Sequence, residues 1–364
     1  MPEKIIFYED EPKTVETNCE IIETYDFGEG ITSAAYVKYD EKHQSKLQAD
    51  KQIVGIEDNI SATLRYEPDF ISEEPTDVAT IEDVRKLHDI PESAAPGEQQ
   101  TVTIMDSGID TSHPVFEDTA VTQVDVTETG GSDDAVGHGT AVAGQVTRLA
   151  PAADLIALRI FGSEGKTKMN IILRAYEWLH KNHDRYNVVN MSWGAQKQSK
   201  QLDQIHSKLI EKGVRDVVAA GNSGAKSGSP ATAKGAFSIG ACTKDGKMAE
   251  FSSYNPNGDN PDVSAIGKDN RLAQASGTNM GKQLDGRWVK ASGTSFAAPE
   301  VAGMVAKYID TKDDWSPKGV LESFESGARD IEDQPKDGAG IVDYQATVGK
   351  ETADTSEQEV DKVL

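Results

Sequence analysis

The chain has 364 residues, 37% of them hydrophobic, and a formal net charge of −24. That length holds one large domain or two unequal ones. The modest apolar content and the lack of any apolar run of spanning length exclude a helical membrane protein, and the acidic excess argues against nonspecific binding to nucleic-acid phosphates. Adaptation to high salt is one explanation for the charge; a simply acidic protein is the other. The two cysteines, Cys19 and Cys242, are far apart, so no disulfide framework is expected. The first ten residues, from Met1 to Asp10, contain no long apolar stretch of the signal-peptide kind. The expectation is a cytoplasmic protein or one exported by a non-classical route, with secretion after removal of a signal as the alternative.

In chain order, residues 1–66 read as a small α+β unit. Strands are expected at Ile5–Tyr8, Ile21–Tyr25, Ala34–Val37 and Ile53–Ile56, a helix over Glu41–Ala49, and a last extended segment at Ser61–Tyr66. Residues 67–79 are acidic, contain Pro68 and Pro75, and read as a linker. A short helix is expected over Ile81–His88. From Thr101 the rhythm changes. Strands at Thr101–Met105, Leu155–Ile160, Val188–Met191, Asp216–Ala219 and Phe237–Gly240 alternate with helices over Asn170–Asn182 and Leu202–Lys212. Continuous β-branched strands between amphipathic helices predict a parallel sheet covered on both faces. Such a sheet places its site beyond the carboxyl ends of its strands. Residues 349–364 read as an acidic tail.

Four short segments carry candidate chemistry. Ser292-Gly293-Thr294-Ser295-Phe296-Ala297-Ala298-Pro299 would set Ser295 at the start of a buried helix, where free N–H groups favour developing negative charge. Asp106 closes the strand Thr101–Met105. His138 stands between Gly137 and Gly139, which would let other groups approach its ring. Asn222 follows the strand Asp216–Ala219 and could donate to an oxyanion. Each has an ordinary alternative when taken alone: a helix cap for Ser295, a turn residue for Asp106 and Asn222, a loop residue for His138. His113, His180, His183 and His206 lack such a setting and read as structural or solvent-facing.

As an ordered set, the blocks Met105-Asp106-Ser107-Gly108-Ile109-Asp110, Gly137-His138-Gly139-Thr140, Asn190-Met191-Ser192-Trp193-Gly194, Ala220-Gly221-Asn222 and Gly293-Thr294-Ser295-Phe296-Ala297-Ala298-Pro299 resemble the subtilisin-like serine proteases (subtilases). The resemblance covers roughly residues 80–348. It implies an α/β fold: a three-layer, parallel-sheet peptidase domain at 80–348, preceded by a small α+β propeptide-like domain at 1–66. It implies Ser295 as nucleophile, His138 as general base, Asp106 as its orienting carboxylate and Asn222 in the oxyanion hole. Ser192, Trp193 and Gly194 would form one wall of the substrate cleft and the segment Gly165–Lys168 the other. Ala219, Ala220 and Gly221 would line a first pocket open to large apolar or aromatic side chains.

The implied partners are protein or peptide substrates and the chain's own N-terminal domain, acting as an intramolecular inhibitor, with self-cleavage near Tyr66–Glu67. A monomer is expected, without nucleic-acid or membrane partners. Ala141 and Glu300 depart from the family pattern, which often has histidine at both places. The calcium-holding loop of many relatives is missing ahead of Leu149-Ala150-Pro151, so no metal or other cofactor is expected there. The acidic loops Gly131–Asp134 and Asp259–Asp262 could take a cation such as calcium through oxygen ligands, charged surface being the ordinary explanation. Two rival readings are a catalytically silent binding protein on the same fold and a permanently latent complex.

Overall fold

The computed structural model of the chain describes residues 1–9, 13–64, 77–131, 133–195, 197–257, 260–311 and 316–349. The N-terminal part contains β1 (Glu3–Tyr8), α1 (Lys13–Asn18), β2 (Cys19–Tyr25), β3 (Ser33–Tyr39), α2 (Gln44–Ala49) and β4 (Ile53–Asp58). Its strands form an antiparallel sheet in the order β2-β3-β1-β4. Alternation along β1 splits the apolar residues between the two faces. Ile6 and Tyr8 pack with Val15, Val37 and Leu47 under the module's own helices. Ile5 and Phe7 join Tyr25, Phe27 and Tyr36 on the other face, in a core shared with the large module. The first half of the expected 41–49 helix is a 3-10 turn over Glu41–His43. Helix α1 was not expected, because one apolar residue, Val15, leaves no periodicity to read.

The large part continues with β5 (Ser61–Thr63), α3 (Ile81–Leu87), β6 (Thr101–Asp106), β7 (Val121–Asp125), α4 (His138–Leu149), β8 (Asp154–Arg159), β9 (Lys166–Lys168), α5 (Met169–Lys181), β10 (Val188–Met191), α6 (Lys200–Glu211), β11 (Arg215–Ala219), β12 (Ser238–Cys242), β13 (Val263–Ile266), β14 (Asn270–Ala273), β15 (Lys282–Gln283), β16 (Trp288–Ala291), α7 (Thr294–Asp310), α8 (Pro317–Gly327) and α9 (Tyr344–Gly349). Seven strands form a wholly parallel sheet, in the order β13-β12-β11-β10-β6-β8-β7. One face packs against α4 and α7, the other against α5 and α6. The strand order reverses at β6, so the crevice beyond the carboxyl ends of β6 and β10 is where an α/β sheet offers a site. Strands β14 to β16 form a separate antiparallel sheet that the sequence pattern did not reveal.

The small module sits on α5 and α6 and completes both. The Asn170 backbone N–H in the first turn of α5 donates to Asn59 Oδ1 (3.0 Å), where the helix has no side-chain cap of its own. Ser199, the N-cap of α6, donates its hydroxyl to both oxygens of Glu57 (2.9 and 3.0 Å). Groups from one module thus satisfy or brace helix starts of the other. Arg174 on α5 adds a two-pronged contact to the Glu23 carboxylate (2.8 and 2.6 Å).

Candidate active site

At the end of β6, Asp106 is fully buried and faces His138, the first residue of α4. His138 Nδ1 lies 2.9 and 3.0 Å from the two Asp106 oxygens, and the Ser107 backbone N–H donates to Asp106 Oδ1 (2.7 Å). The flanking glycines have separate reasons. Gly137 sits at φ 96°, a conformation that L side chains resist. A Cβ on Gly139 would lie 2.1 Å from the Gly108 carbonyl oxygen, so no other residue lets α4 approach the β6 loop this closely. The far nitrogen, Nε2, is buried and unpartnered among the described residues. The ring packs against Phe296, centroid to centroid 5.5 Å, the residue after Ser295.

Ser295 occupies the first turn of α7, as the Gly-Thr-Ser run predicted. Its hydroxyl donates to the Ser192 carbonyl (2.8 Å), not to His138. Four residues on, Pro299 sits inside the helix. It has no N–H to return to the Ser295 carbonyl, the usual i−4 partner. That carbonyl instead accepts from Ser192 Oγ (2.8 Å), which is held in turn by Asn190 Nδ2 (2.9 Å). The proline therefore frees the bond that ties the start of α7 to the strand-end segment after β10.

Asn222 follows β11. Its Oδ1 accepts from the Thr294 N–H and the Thr294 hydroxyl (both 2.8 Å). Two donors on one atom fix which end of the amide is oxygen. The NH₂ group is left facing away from them, as a donor beside Gly293.

Ser192, Trp193, Gly194, Ala219, Ala220, Gly221, Asn222 and Ser295 line one cleft, with a cavity of about 690 Å³. Ile60, Ala62 and Leu64 line it as well. Strand β5 pairs antiparallel with β9, and the Leu64 N–H donates to the Gly165 carbonyl (3.0 Å). Tyr66 and Glu67 lie outside the described residues, as do most of the 67–79 linker and residues 350–364.

Other polar groups singled out in the sequence have defined partners. Lys166 and Lys168, at the two ends of β9, are paired with Glu164 (3.1 Å) and Glu3 (3.8 Å). Of the two alternatives, structural or solvent-facing, His180 and His206 take the structural one: both are buried. His206 lies between Tyr176 and Asp216 (2.9 and 2.8 Å). Asp134, in a loop that could take a cation or be ordinary charged surface, is buried and directs its carboxylate to protein donors from Ser107, Val136, Gly137 and Thr140. In the other acidic loop, Asp262 accepts from the Ser238 N–H (2.6 Å), and burial raises its pKa to about 8. Asp259 lies outside the described residues, among which no cluster of three potential metal ligands occurs. Glu300 is fully buried. It accepts from Gln145 Nε2 and the Ile266 N–H (both 3.1 Å) and lies 3.6 Å from His88 Nε2, and burial raises its pKa to about 7. The part played by Asp134 was missed, although an acidic residue four positions before a helix-initiating histidine was a readable signal.

The family model of the subtilase family (Peptidase S8) matches residues 97–340. The chain belongs to the subtilase family. Subtilisin E of Bacillus subtilis (strain 168) is 28% identical over 328 residues, 86% of this chain and 80% of the relative. Subtilisin of Bacillus pumilus is 30% identical over 264 residues, 69% and 91% of the two chains. Among solved structures, fervidolysin from Fervidobacterium pennivorans, described as a keratinolytic enzyme related to subtilisin, superimposes with a TM-score of 0.73. That match has 20% identity and covers 95% of this chain and 60% of the other. A cold-adapted subtilisin-like serine proteinase gives a TM-score of 0.60 at 25% identity, over 69% and 90% of the two chains. This subtilase is accordingly a subtilisin-like serine endopeptidase, a hydrolase acting on protein or peptide substrates.

Proposed function

We propose that Ser295, His138 and Asp106 are the catalytic triad of this peptidase and that Asn222 is its oxyanion donor. The Ser295 hydroxyl turns from the Ser192 carbonyl to His138 Nε2 and attacks the scissile carbonyl carbon. Its proton passes to Nε2 and later to the leaving amine. Asp106 holds the ring with Nδ1–H towards itself and stabilises the imidazolium. The tetrahedral oxyanion accepts hydrogen bonds from Asn222 Nδ2 and the Ser295 backbone N–H. In subtilisin, loss of the corresponding asparagine costs about 10²–10³ in turnover. Water then repeats the sequence on the acyl-enzyme.

The observation that carries this reading is the contact of the buried Asp106 carboxylate with His138 Nδ1, whose ring packs on Phe296, the residue after Ser295; Ser295 and Asn222 line one cleft. A serine-directed fluorophosphonate probe tests it. Labelling of the parent and none of Ser295→Ala supports the triad; an unlabelled parent with peptidase activity refutes it.

Residues 1–66 are proposed as an inhibitory propeptide, released by self-cleavage at Tyr66–Glu67. Support comes from β5, which pairs antiparallel with β9 as an added strand would and lines the cleft with Ala62 and Leu64. Ala219, Ala220 and Gly221 are proposed as walls of the first specificity pocket, and Ser192–Gly194 as the strand that pairs with substrate. A cytoplasmic or non-classically exported location remains our proposal for the compartment.

A further inference from the structure

Asp134 has a more specific place than a charged loop residue. It is 3% exposed and receives five hydrogen bonds. Oδ1 accepts from Ser107 Oγ (2.8 Å), Val136 N (3.0 Å) and Gly137 N (2.7 Å). Oδ2 accepts from Thr140 N and Thr140 Oγ1 (both 2.8 Å). The direction of the two hydroxyl bonds follows from their other partners. Ser107 Oγ already accepts from the Gly139 N–H (2.9 Å), and Thr140 Oγ1 from the Asp110 N–H (2.9 Å). Each hydroxyl proton is therefore directed at Asp134. All five contacts are donations, and among the described residues neither oxygen has a further hydrogen-bond partner.

The donors come from two elements. Ser107 follows the candidate orienting residue Asp106, while Val136, Gly137 and Thr140 flank His138 at the start of α4. Asp134 and Ser107 together satisfy the Gly139 and Thr140 N–H groups that the start of a helix leaves open. We propose that Asp134 is a positioning residue: its carboxylate locks the first turn of α4 to the β6 loop, and its negative charge supports the protonated form of His138. This inference rests on the assignment of His138 as general base.

The charged groups facing this pocket are His138 and Asp106, then Asp110, whose charge is met by Arg287 (2.6 Å). Arg159 holds the Gly130 and Gly131 carbonyls of the same loop (3.1 and 2.7 Å) and is offset by Asp125. Burial raises the Asp134 carboxyl above its ordinary value, and the bonds from Gly137, Thr140 and Ser107 offset this only in part.

The test compares the parent, Asp134→Asn and Ser107→Ala, each normalised to fluorophosphonate-titrated sites and checked for folding by thermal melting. Asp134→Asn puts an NH₂ group against donors and removes the charge. We expect kcat/KM to fall about 10–10²-fold, the scale on which small misplacements act, chiefly in kcat. The acidic limb of its pH profile should move to lower pH, because the imidazolium has lost a nearby anion. Ser107→Ala keeps the charge, so it should lower kcat without moving the limb. A folded Asp134→Asn with kcat/KM within twofold of the parent and an unmoved limb overturns the proposal. If Asp134→Asn does not fold, Ser107→Ala decides: an unchanged kcat overturns it and a several-fold loss at constant KM supports it. A parent that neither labels nor cleaves would instead sink the catalytic assignment itself.

Discussion

The candidate active site and the junction with the N-terminal module are held by different physics. Around His138 the contacts are polar and buried, with Asp106, Ser107, Asp134 and Thr140 each holding a partner on another element. The junction is mainly apolar: Phe7, Tyr25 and Phe27 share a core with Leu173, Tyr176 and Leu202. Polar groups there, Asn59, Glu57 and Glu23, sit at helix starts or at the rim. Polar locking fixes geometry to tenths of an ångström, whereas apolar contact supplies affinity with little directional demand. The first suits an arrangement that must not move during catalysis. The second suits a partner that must dock firmly and, on our proposal, be released.

The largest expected break of that contrast is Phe7→Ala. It removes a side chain buried in the shared core, at about 3–5 kcal/mol. After processing, the N-terminal fragment should separate from the peptidase on size exclusion. Leu47→Ala, on the face covered by the module's own helices, should weaken the module while leaving more of the complex intact. Equal retention of the fragment by the two variants would remove the distinction between the faces.

Glu300 tests the polar side. Its folded pKa of about 7 lies above the ordinary value of 4.5 because burial disfavours the charge. Between those values the folded state binds the proton more tightly, so the stabilisation it gives at low pH is lost as pH rises through the window. Stability should fall by at most about 3 kcal/mol from this group. Glu300→Gln should flatten the dependence of chemical denaturation on pH between about 4.5 and 7; an unchanged slope refutes the assignment.

Two smaller effects sharpen the junction. Glu23→Ala leaves Arg174 without its two-pronged partner and should weaken fragment retention by about 1.5–3 kcal/mol, less at high salt. Asn59→Ala uncaps α5 and should cost about 1 kcal/mol, read as faster amide exchange in the first turn of that helix in the complex. Exchange unchanged there would show that the cap is idle.

Much of this was legible in the sequence, for identifiable reasons. The buried strands Thr101–Asp106 and Val188–Met191 are β-branched runs, and the apolar stripe of α5 has helical spacing, so both patterns are local. The Gly-His-Gly and Gly-Thr-Ser runs mark close backbone approaches that only small residues permit. What stayed hidden depends on distant partners. The two residues of β15 carry no period. The role of Asp134 needs Ser107, 27 positions earlier, and the link freed by Pro299 needs Ser192, 103 positions before Ser295. The Asn59 cap of α5 spans 111 positions.

The most direct test of the account is mass analysis of the purified parent beside Ser295→Ala. The account predicts two fragments from the parent, the larger starting at Glu67, and only intact chain from Ser295→Ala. An active parent that remains a single intact chain, or a Ser295→Ala chain cut at the same bond in the absence of other proteases, would contradict it.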